Sequence, residues 1–404
     1  MGTEDAVAKL RAWWAHRQGL DGALAGASAA EVLASTGWAR SVGSSGPYLG
    51  LFARAGLDRD AVDKAVAALE IHELPSARGC TYVLPRRDFA LGLAVGAHAP
   101  ERDIQAAAKH LGVTRAEIEE LADAAVGVLA TTDRPLDPAA LKTSLGDAVR
   151  DLGEAGRKRG EATPLRMALG LLQAQGRIRR VPVNGRLDNQ RFGYALWSPP
   201  PLSPGGTDGE AANTELAARY FSWAAPATLK HFQWFSGLTA AAAKKAVAPL
   251  DLRAVDATPL LMPADQMAEF ERFTVPRAPS YSLLASIDGI HLLHRDLGRL
   301  LDPDDAHRRS PEPGDGRTLG SQADPPCPLI VDRGRIVGLW EYDVDATEVV
   351  YHSFVEPDSA LRNAVADTEA FIRGQLGDAK MVSLDSPKSR APRLAALREA
   401  SGHR

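Results

Sequence analysis

The sequence predicts an α+β fold that is mainly helical, with three similar units in tandem and a small β-sheet region at the C-terminus. Two observations support this prediction. Apolar residues recur at helical spacing over much of the chain. Three times, a run of helices is followed by two short apolar stretches around a turn. Helix, helix, helix, hairpin is the order of a winged helix-turn-helix, so the three units are predicted to be of this kind.

The boundaries of the units follow from length and composition. A chain of 404 residues is too long for one ordinary core. The stretch 198–208 is rich in Pro, Gly and Ser and is typical of a linker. We therefore divide the chain into residues 1–97, 98–200, 209–275 and 276–404. The last part is predicted to hold a β-hairpin, a mobile loop over 301–324, a closing helix and a basic arm from Lys380.

The first unit surrounds a glycine- and serine-rich loop, Gly37–Leu51. Ser28 and Glu31 form a capping-box pattern ahead of the helix that ends at this loop. Pro47 occupies the first position of the helix that follows it. The predicted elements of the unit are helices over 4–16, 28–37, 47–54 and from 58, then strands over 71–74 and 80–84.

The hairpin of the second unit is rich in arginine. Its predicted strands, 177–183 and 191–197, flank Asn184–Gly185, a strong signal for a hairpin turn. Residues 153–195 carry nine basic and three acidic side chains, although the whole chain has a formal net charge of -4. Such a local excess predicts a surface that faces phosphates, and a plain solvated hairpin is the alternative. The predicted DNA-binding residues of this hairpin are Arg177, Arg179, Arg180, Arg186 and Arg191.

Composition narrows the class of protein. Cys80 and Cys327 are too few for a disulfide framework or an unaided zinc site. No run of about 18 apolar residues is present, and the acidic Glu4 and Asp5 do not suit a signal peptide. No motif for a cofactor is found. We therefore expect a cytoplasmic, monomeric protein without metal, cofactor or membrane contact.

Four patches of sequence resemble the AlkZ-like family of DNA glycosylases. They are Pro47–Arg54, Arg78–Pro85 with Asp88, Pro226–Thr228 with Phe232–Leu238, and Leu329–Trp340. The resemblance implies a C-shaped array of three winged helices around double-stranded DNA. The bound DNA is expected to include alkylated or crosslinked duplexes. It also implies removal of bulky alkylated purines by hydrolysis of the N-glycosidic bond.

The chain departs from this family at its catalytic motif. The family carries a glutamine, any residue, then glutamine or aspartate just upstream of the Pro-Tyr-Leu helix. The corresponding window here is Trp38–Val42, which contains no glutamine. Glycosidic cleavage passes through an oxocarbenium-like state that needs negative or polar groups and a positioned water. The candidate residues of the substituted loop are Arg40 and Ser41. Ser41 can orient water, but Arg40 cannot stabilise that cation.

Two readings of function therefore stay open from the sequence. The protein is a glycosylase that acts through the substituted loop, or it is a non-catalytic regulator or lesion-binding protein of the same fold. Trp38, Arg40 and Arg78 are predicted DNA contacts, with core packing as the alternative for Trp38. A further set of side chains could supply acid–base groups or form hairpin surface: Glu70, His72 and Glu73.

Overall fold

The computed structural model describes residues 3–202, 208–256, 258–311 and 316–402. In these ranges the fold is α+β and mainly helical, with strands in four small antiparallel sheets. The predicted fold class is confirmed at this level. None of the described helices is long and apolar enough to cross a membrane.

A three-stranded sheet organises the first hundred residues. Their elements are α1 (Thr3–Arg17), α2 (Ala29–Thr36), β1 (Ala39–Arg40), α3 (Gly46–Ala55), α4 (Arg59–Ala67), β2 (Ile71–Pro75), β3 (Thr81–Pro85) and α5 (Phe89–Gly96). The strand order is β1-β3-β2, so β3 is central. Ser28 and Glu31 form the predicted capping box at the start of α2.

The second group of elements ends in the arginine-rich hairpin. It comprises α6 (Ala99–Leu111), α7 (Arg115–Ala130), α8 (Pro138–Leu145), α9 (Gly153–Lys158), α10 (Leu165–Ala174), β4 (Ile178–Pro182) and β5 (Phe192–Leu196). Both predicted strands are confirmed, each shorter by one residue at either end, so the connection covers residues 183–191 rather than 184–190. The connection is long because its Leu187 is buried in a core formed mainly by the first and last parts of the chain.

The third group also contains a hairpin, formed by the short strands that the sequence predicts and followed by one more helix. Its elements are α11 (Gly209–Ala224), α12 (Leu229–Ser236), α13 (Ala240–Val247), β6 (Leu252–Ala254), β7 (Leu261–Pro263) and α14 (Ala264–Arg272). Thr228 caps α12 through its side chain, with His231 bonded in return to the Thr228 backbone.

The C-terminal part contains a four-stranded sheet of order β11-β10-β9-β8. Its elements are β8 (Tyr281–Leu284), α15 (Gly289–Leu292), α16 (Leu297–Leu300), α17 (Pro303–Ala306), β9 (Leu329–Asp332), β10 (Arg335–Asp343), β11 (Glu348–Ser353), α18 (Ser359–Phe371) and α19 (Pro387–Ala400). Between 301 and 324, where the sequence predicts a mobile loop, the described residues include α17 and a 3-10 turn at Leu319–Ser321. Residues 312–315 of that stretch lie outside the described ranges.

The prediction that the tail is a basic arm is wrong, because three of its arginines are ion-paired with acidic residues of the C-terminal part. Their contacts are Arg390 Nη1 to Asp378 Oδ1 at 2.8 Å, Arg393 Nε to Glu341 Oε2 at 2.9 Å, and Arg398 Nη2 to Asp343 Oδ2 at 2.7 Å. These contacts dock α19 onto the C-terminal sheet.

The first sheet lies between two hydrophobic cores. Tyr82 and Leu84 of β3 belong to a core shared with α1, α5, α11 and α12, whereas Val83 between them belongs to a core shared with α2, α3 and α18. A third core is confined to residues 104–194. The first sheet, and the loop that enters it through β1, are therefore held from both faces.

Candidate active-site loop and nucleic-acid interface

The loop after α2 is folded into the first sheet. Gly37 ends α2 with a φ of 102°, and β1 then pairs Ala39 with Val83 and Arg40 with Tyr82. The serines of the loop, Ser41, Ser44 and Ser45, are exposed by 3%, 1% and 2%. The loop is therefore an ordered, buried segment of the described structure, and its chemistry depends on what each buried side chain meets.

Two distant parts of the chain anchor this loop. The Val42 carbonyl accepts hydrogen bonds from Gln190 Nε2 and from the Ser383 backbone N–H, each at 3.2 Å. Ser45 donates its N–H to the Lys380 carbonyl at 3.1 Å and its hydroxyl to the Asp378 carbonyl at 3.0 Å. We call residues 376–383 the C-terminal strap. The strap and the β4–β5 connection together fix the backbone of the loop.

Trp38 lies in the core. It is 4% exposed, and its indole N–H donates to Asp88 Oδ2 at 3.0 Å. The ring centroid lies 5.5 Å from that of Trp223. Asp88 is itself fully buried and has Arg219 Nη2 at 3.4 Å from its other oxygen. A role of Trp38 as a DNA wedge would require breaking these contacts.

Arg40 and Ser41 point to opposite faces of the first sheet, as neighbours on a strand do. Arg40 donates from Nη1 to the Thr81 carbonyl at 2.7 Å and lies over the Tyr82 ring at 5.4 Å. Ser41 donates from Oγ to Glu73 Oε1 at 2.7 Å. Sequence reasoning includes Glu73 only among acid–base alternatives, because nothing local indicates a contact across 32 residues.

The other two acid–base alternatives lie elsewhere. Glu70 is exposed at the end of the turn that follows α4. His72 is buried against Phe89 and Trp197, and neither ring nitrogen has a hydrogen-bond partner among the described residues. Burial, with a smaller contribution from the nearby Arg179 and Arg180, lowers the pKa of His72 to about 3. His72 is therefore a neutral core side chain at ordinary pH.

A buried ion pair lies next to the loop. Arg54 on α3 donates from Nη2 to Asp288 Oδ1 at 2.7 Å and from Nη1 to Oδ2 at 2.9 Å. Gln18 Oε1 accepts from the same guanidinium at 3.2 Å. Beside them, the loop, α2, α3 and residues 285–289 line a partly open pocket of about 30 Å³, large enough to admit water. The pair ties three distant segments together behind the loop.

The arginines of the second hairpin fall into two groups. Arg179 and Arg180 lie over aromatic rings, with Cζ 5.9 Å from the Trp197 centroid and 4.3 Å from the Phe192 centroid. Burial lowers the pKa of Arg179. Arg191 is exposed, and its side chain makes no hydrogen bond or ion pair with any residue that the structure describes. None of the three is ion-paired with a carboxylate of the residues that the structure describes.

The other two arginines of that hairpin are engaged by carboxylates. Arg177 Nη1 lies 2.9 Å from Asp123 Oδ1. Arg186 donates from Nε to Asp188 Oδ1 at 2.8 Å and from Nη2 to the Leu376 carbonyl at 3.0 Å. The Arg186 contact joins the hairpin connection to the C-terminal strap, which is a structural role.

Arg78 is at the tip of the β2–β3 hairpin and is held by an aromatic ring of α12. Its guanidinium lies 4.2 Å from the Trp234 centroid, and its φ of 59° is in the left-handed region. Arg295 lies over the same ring at 4.7 Å. Gly237 permits this approach, since a Cβ there would meet Arg78 Cγ at 2.8 Å. Stacking fixes the direction of the exposed Arg78 guanidinium.

Comparison with known proteins gives the class of this fold and site. The family model described as DNA glycosylase AlkZ-like matches residues 41–372. The chain therefore belongs to the AlkZ-like DNA glycosylase family. Among solved structures, Streptomyces sahachiroi DNA glycosylase AlkZ matches with a TM-score of 0.68 and 20% identity, covering 91% of this chain and 96% of that one. The two proteins share a fold. No curated protein sequence matches this chain.

The family match covers only part of the candidate site. Ser41, Arg54 and Glu73 lie inside the matched range, whereas Trp38 and Arg40 precede it. The C-terminal strap and α19 follow it. The anchoring of the loop by the strap thus comes from a part of the chain that the family model does not describe.

Proposed function

We propose that this protein binds double-stranded DNA through three winged helix-turn-helix units and excises bulky alkylated purines by hydrolysis of the N-glycosidic bond. Membership of the AlkZ-like family supports the repair-glycosylase class. One observation carries the proposal to this chain: the connection of the arginine-rich hairpin touches the loop itself. Gln190 bonds to Val42, and the exposed Arg191 is its neighbour.

This adjacency is what an enzyme that acts on a base within duplex DNA requires. Phosphate contacts fix the register of the protein on the duplex, and they have to lie near the point where the nucleotide leaves the stack. Arg179, Arg180 and Arg191 supply cations on the hairpin whose connection contacts the loop through Gln190. Arg78 supplies another on a different hairpin. We propose these four, with the half-buried Arg40, as the DNA-binding set.

The first unit is proposed to support the site rather than read a groove. The helix before its hairpin, α4, is partly engaged by other segments of the chain. Arg59 donates its backbone N–H to Gln375 Oε1 at 2.7 Å, and Tyr48 donates to Asp63 Oδ1 at 2.5 Å. The exposed side chains that α4 still offers include the acidic Asp60 beside Lys64, which suits base edges poorly. The second unit, which has its own core, is proposed to make most of the contacts with the phosphate backbone of the DNA.

The test is base release from a duplex that carries one N7-alkylguanine. We expect free alkylated base and an abasic site from the wild-type protein, with binding that weakens steeply as salt rises. Replacing Arg179 and Arg180 together by Ala should weaken binding to any duplex and reduce the slope of log Kd against log salt by about 2. The matched control is Arg272→Ala on α14, whose guanidinium bonds to its own helix at the Ala268 carbonyl.

A second function is favoured by a specific observation, the burial of the loop. Ser41 is 3% exposed, and the strap and Gln190 hold the backbone beside it. A loop closed in this way suits a lesion-binding protein or regulator that does not cleave. Tight, salt-dependent binding to alkylated duplex with no release of base would establish that function and overturn the enzymatic one.

A further inference from the structure

A hydroxyl–carboxylate pair joins the substituted loop to β2, and its Ser41 falls in the window that corresponds to the family's glutamine motif. Ser41 Oγ donates to Glu73 Oε1 at 2.7 Å. The Ser41 backbone is fixed in turn, since its N–H bonds to the Thr81 carbonyl at 3.0 Å. Glu73 pairs with Val83 on the opposite side of β3 from Ala39. The central strand thus sets the spacing between the two side chains.

The pair leaves one oxygen of the carboxylate unoccupied. Oε1 of Glu73 accepts from Ser41, and its Oε2 has no hydrogen-bond partner among the residues that the structure describes. Glu73 is only half-buried, in contrast to Ser41. A carboxylate oriented through one oxygen and partly open to solvent through the other can hold a water or face a developing cation.

The chemistry of alkylated purines needs little more than this. In an N7-alkylguanine nucleotide the base carries a positive charge, so the C1′–N9 bond breaks with its electron pair going to N9 and the base leaves neutral. No proton has to be delivered to the leaving group. The positive charge passes to the sugar, water forms the new bond at C1′, and its proton goes to a base. One carboxylate can stabilise the cation and accept that proton.

We infer that Glu73 is the catalytic carboxylate of this protein and that Ser41 is its positioning residue. This inference rests on the proposed function. Glu73 faces the sugar through Oε2, holds the attacking water and takes its proton. Ser41 fixes the rotamer of Glu73 through Oε1. The pair takes over the task of the glutamine motif that the loop lacks.

Neighbouring groups do not fit this role. His72, the next residue on β2, has its ring buried on the opposite face, against Phe89 and Trp197. Arg40 carries the wrong charge for an oxocarbenium ion and is bonded to the Thr81 carbonyl. Glu70 is exposed before β2 begins. Of the three acid–base groups that this segment offers, Glu73 alone contacts the loop.

The experiment compares Glu73→Gln with the matched control Glu70→Gln, which makes the same charge change outside the site. Both proteins are given duplex DNA with one N7-methylguanine under single-turnover conditions, and duplex affinity is measured in parallel. We expect Glu73→Gln to lower the rate of base release about 100-fold or more, in the range of general acid–base effects. Its affinity should stay within about twofold, because a Gln amide oxygen still accepts from Ser41. Glu70→Gln should match the wild type.

Three further variants keep the inference testable. Ser41→Ala should lower release with affinity unchanged, and Ser41→Thr, which keeps the hydroxyl, should restore it. If Glu73→Gln does not fold, Glu73→Asp retains the charge but retracts it, and a fall in release at unchanged affinity supports the role. Release by Glu73→Gln at the wild-type rate overturns this inference alone. Absence of release by the wild type, with binding intact, overturns the enzymatic function and this inference together.

Discussion

Replacing His72 by Leu tests the junction between the first sheet and the arginine-rich hairpin. His72 is 2% exposed, with Arg179 and Arg180 close enough to disfavour its charged form. Its folded pKa of about 3 lies below the ordinary value of 6.5, so the folded protein keeps the ring neutral. The stability that this provides is complete above pH 6.5 and is lost as the pH falls towards 3, because the unfolded chain takes up the proton first.

The magnitude follows from the size of the shift. Each pH unit below 6.5 costs about 1.4 kcal/mol, so pH 5 should cost the wild type about 2 kcal/mol through this side chain. His72→Leu removes this pH-dependent contribution to stability. It also removes two buried ring nitrogens that have no hydrogen-bond partner among the described residues. In urea unfolding followed by tryptophan fluorescence, we expect the variant to lose about 2 kcal/mol less than the wild type between pH 7 and pH 5. His110→Gln, at an exposed position of α6, is the control. Equal losses in wild type and His72→Leu would refute the reasoning.

Three further predictions concern residues in the loop or next to it. Asp288→Asn should lower the free energy of unfolding by about 3–5 kcal/mol in urea titration, because it leaves the buried guanidinium of Arg54 without its counter-ion; a loss below about 1 kcal/mol would contradict this. Gly43→Ala should cost about 1 kcal/mol or more in the same assay, because its φ of 65° suits glycine and a Cβ there would collide with Gln190. Ser383→Pro removes the N–H that the strap donates to the loop; hydrogen exchange should show faster opening of residues 41–45, and unchanged protection would rule out the Ser383–Val42 bond as an anchor.

Local signals in the sequence account for most of the elements. The capping box at Ser28 and the proline at the start of α3 mark helix starts that the structure confirms. The apolar stretches around residues 71–84, 178–196 and 252–263 form the three predicted hairpins. In each case the determining groups lie within a few residues of one another, and such short-range chemistry is what a sequence displays directly.

Long-range pairing accounts for what the sequence did not reveal. β1 has two residues and exists only because Ala39 and Arg40 meet β3. β8 joins its sheet through residues about fifty positions away in β9. Arg390 and Arg393 look like a basic arm because Asp378 and Glu341, which neutralise them, are recognisable as partners only after folding. The Arg186–Asp188 pair is different, since its spacing of two residues was visible in the sequence.

One carbonyl of the loop is bonded both to the arginine-rich hairpin and to the C-terminal strap. Val42 accepts from Gln190 of the arginine-rich hairpin and from Ser383 of the C-terminal strap. Arg186, four residues before Gln190, bonds to Leu376 at the start of the same strap. The hairpin, the strap and the loop therefore form a closed set of contacts. If DNA binds the hairpin arginines as proposed, it binds a hairpin whose connection is bonded directly to the residue that follows Ser41.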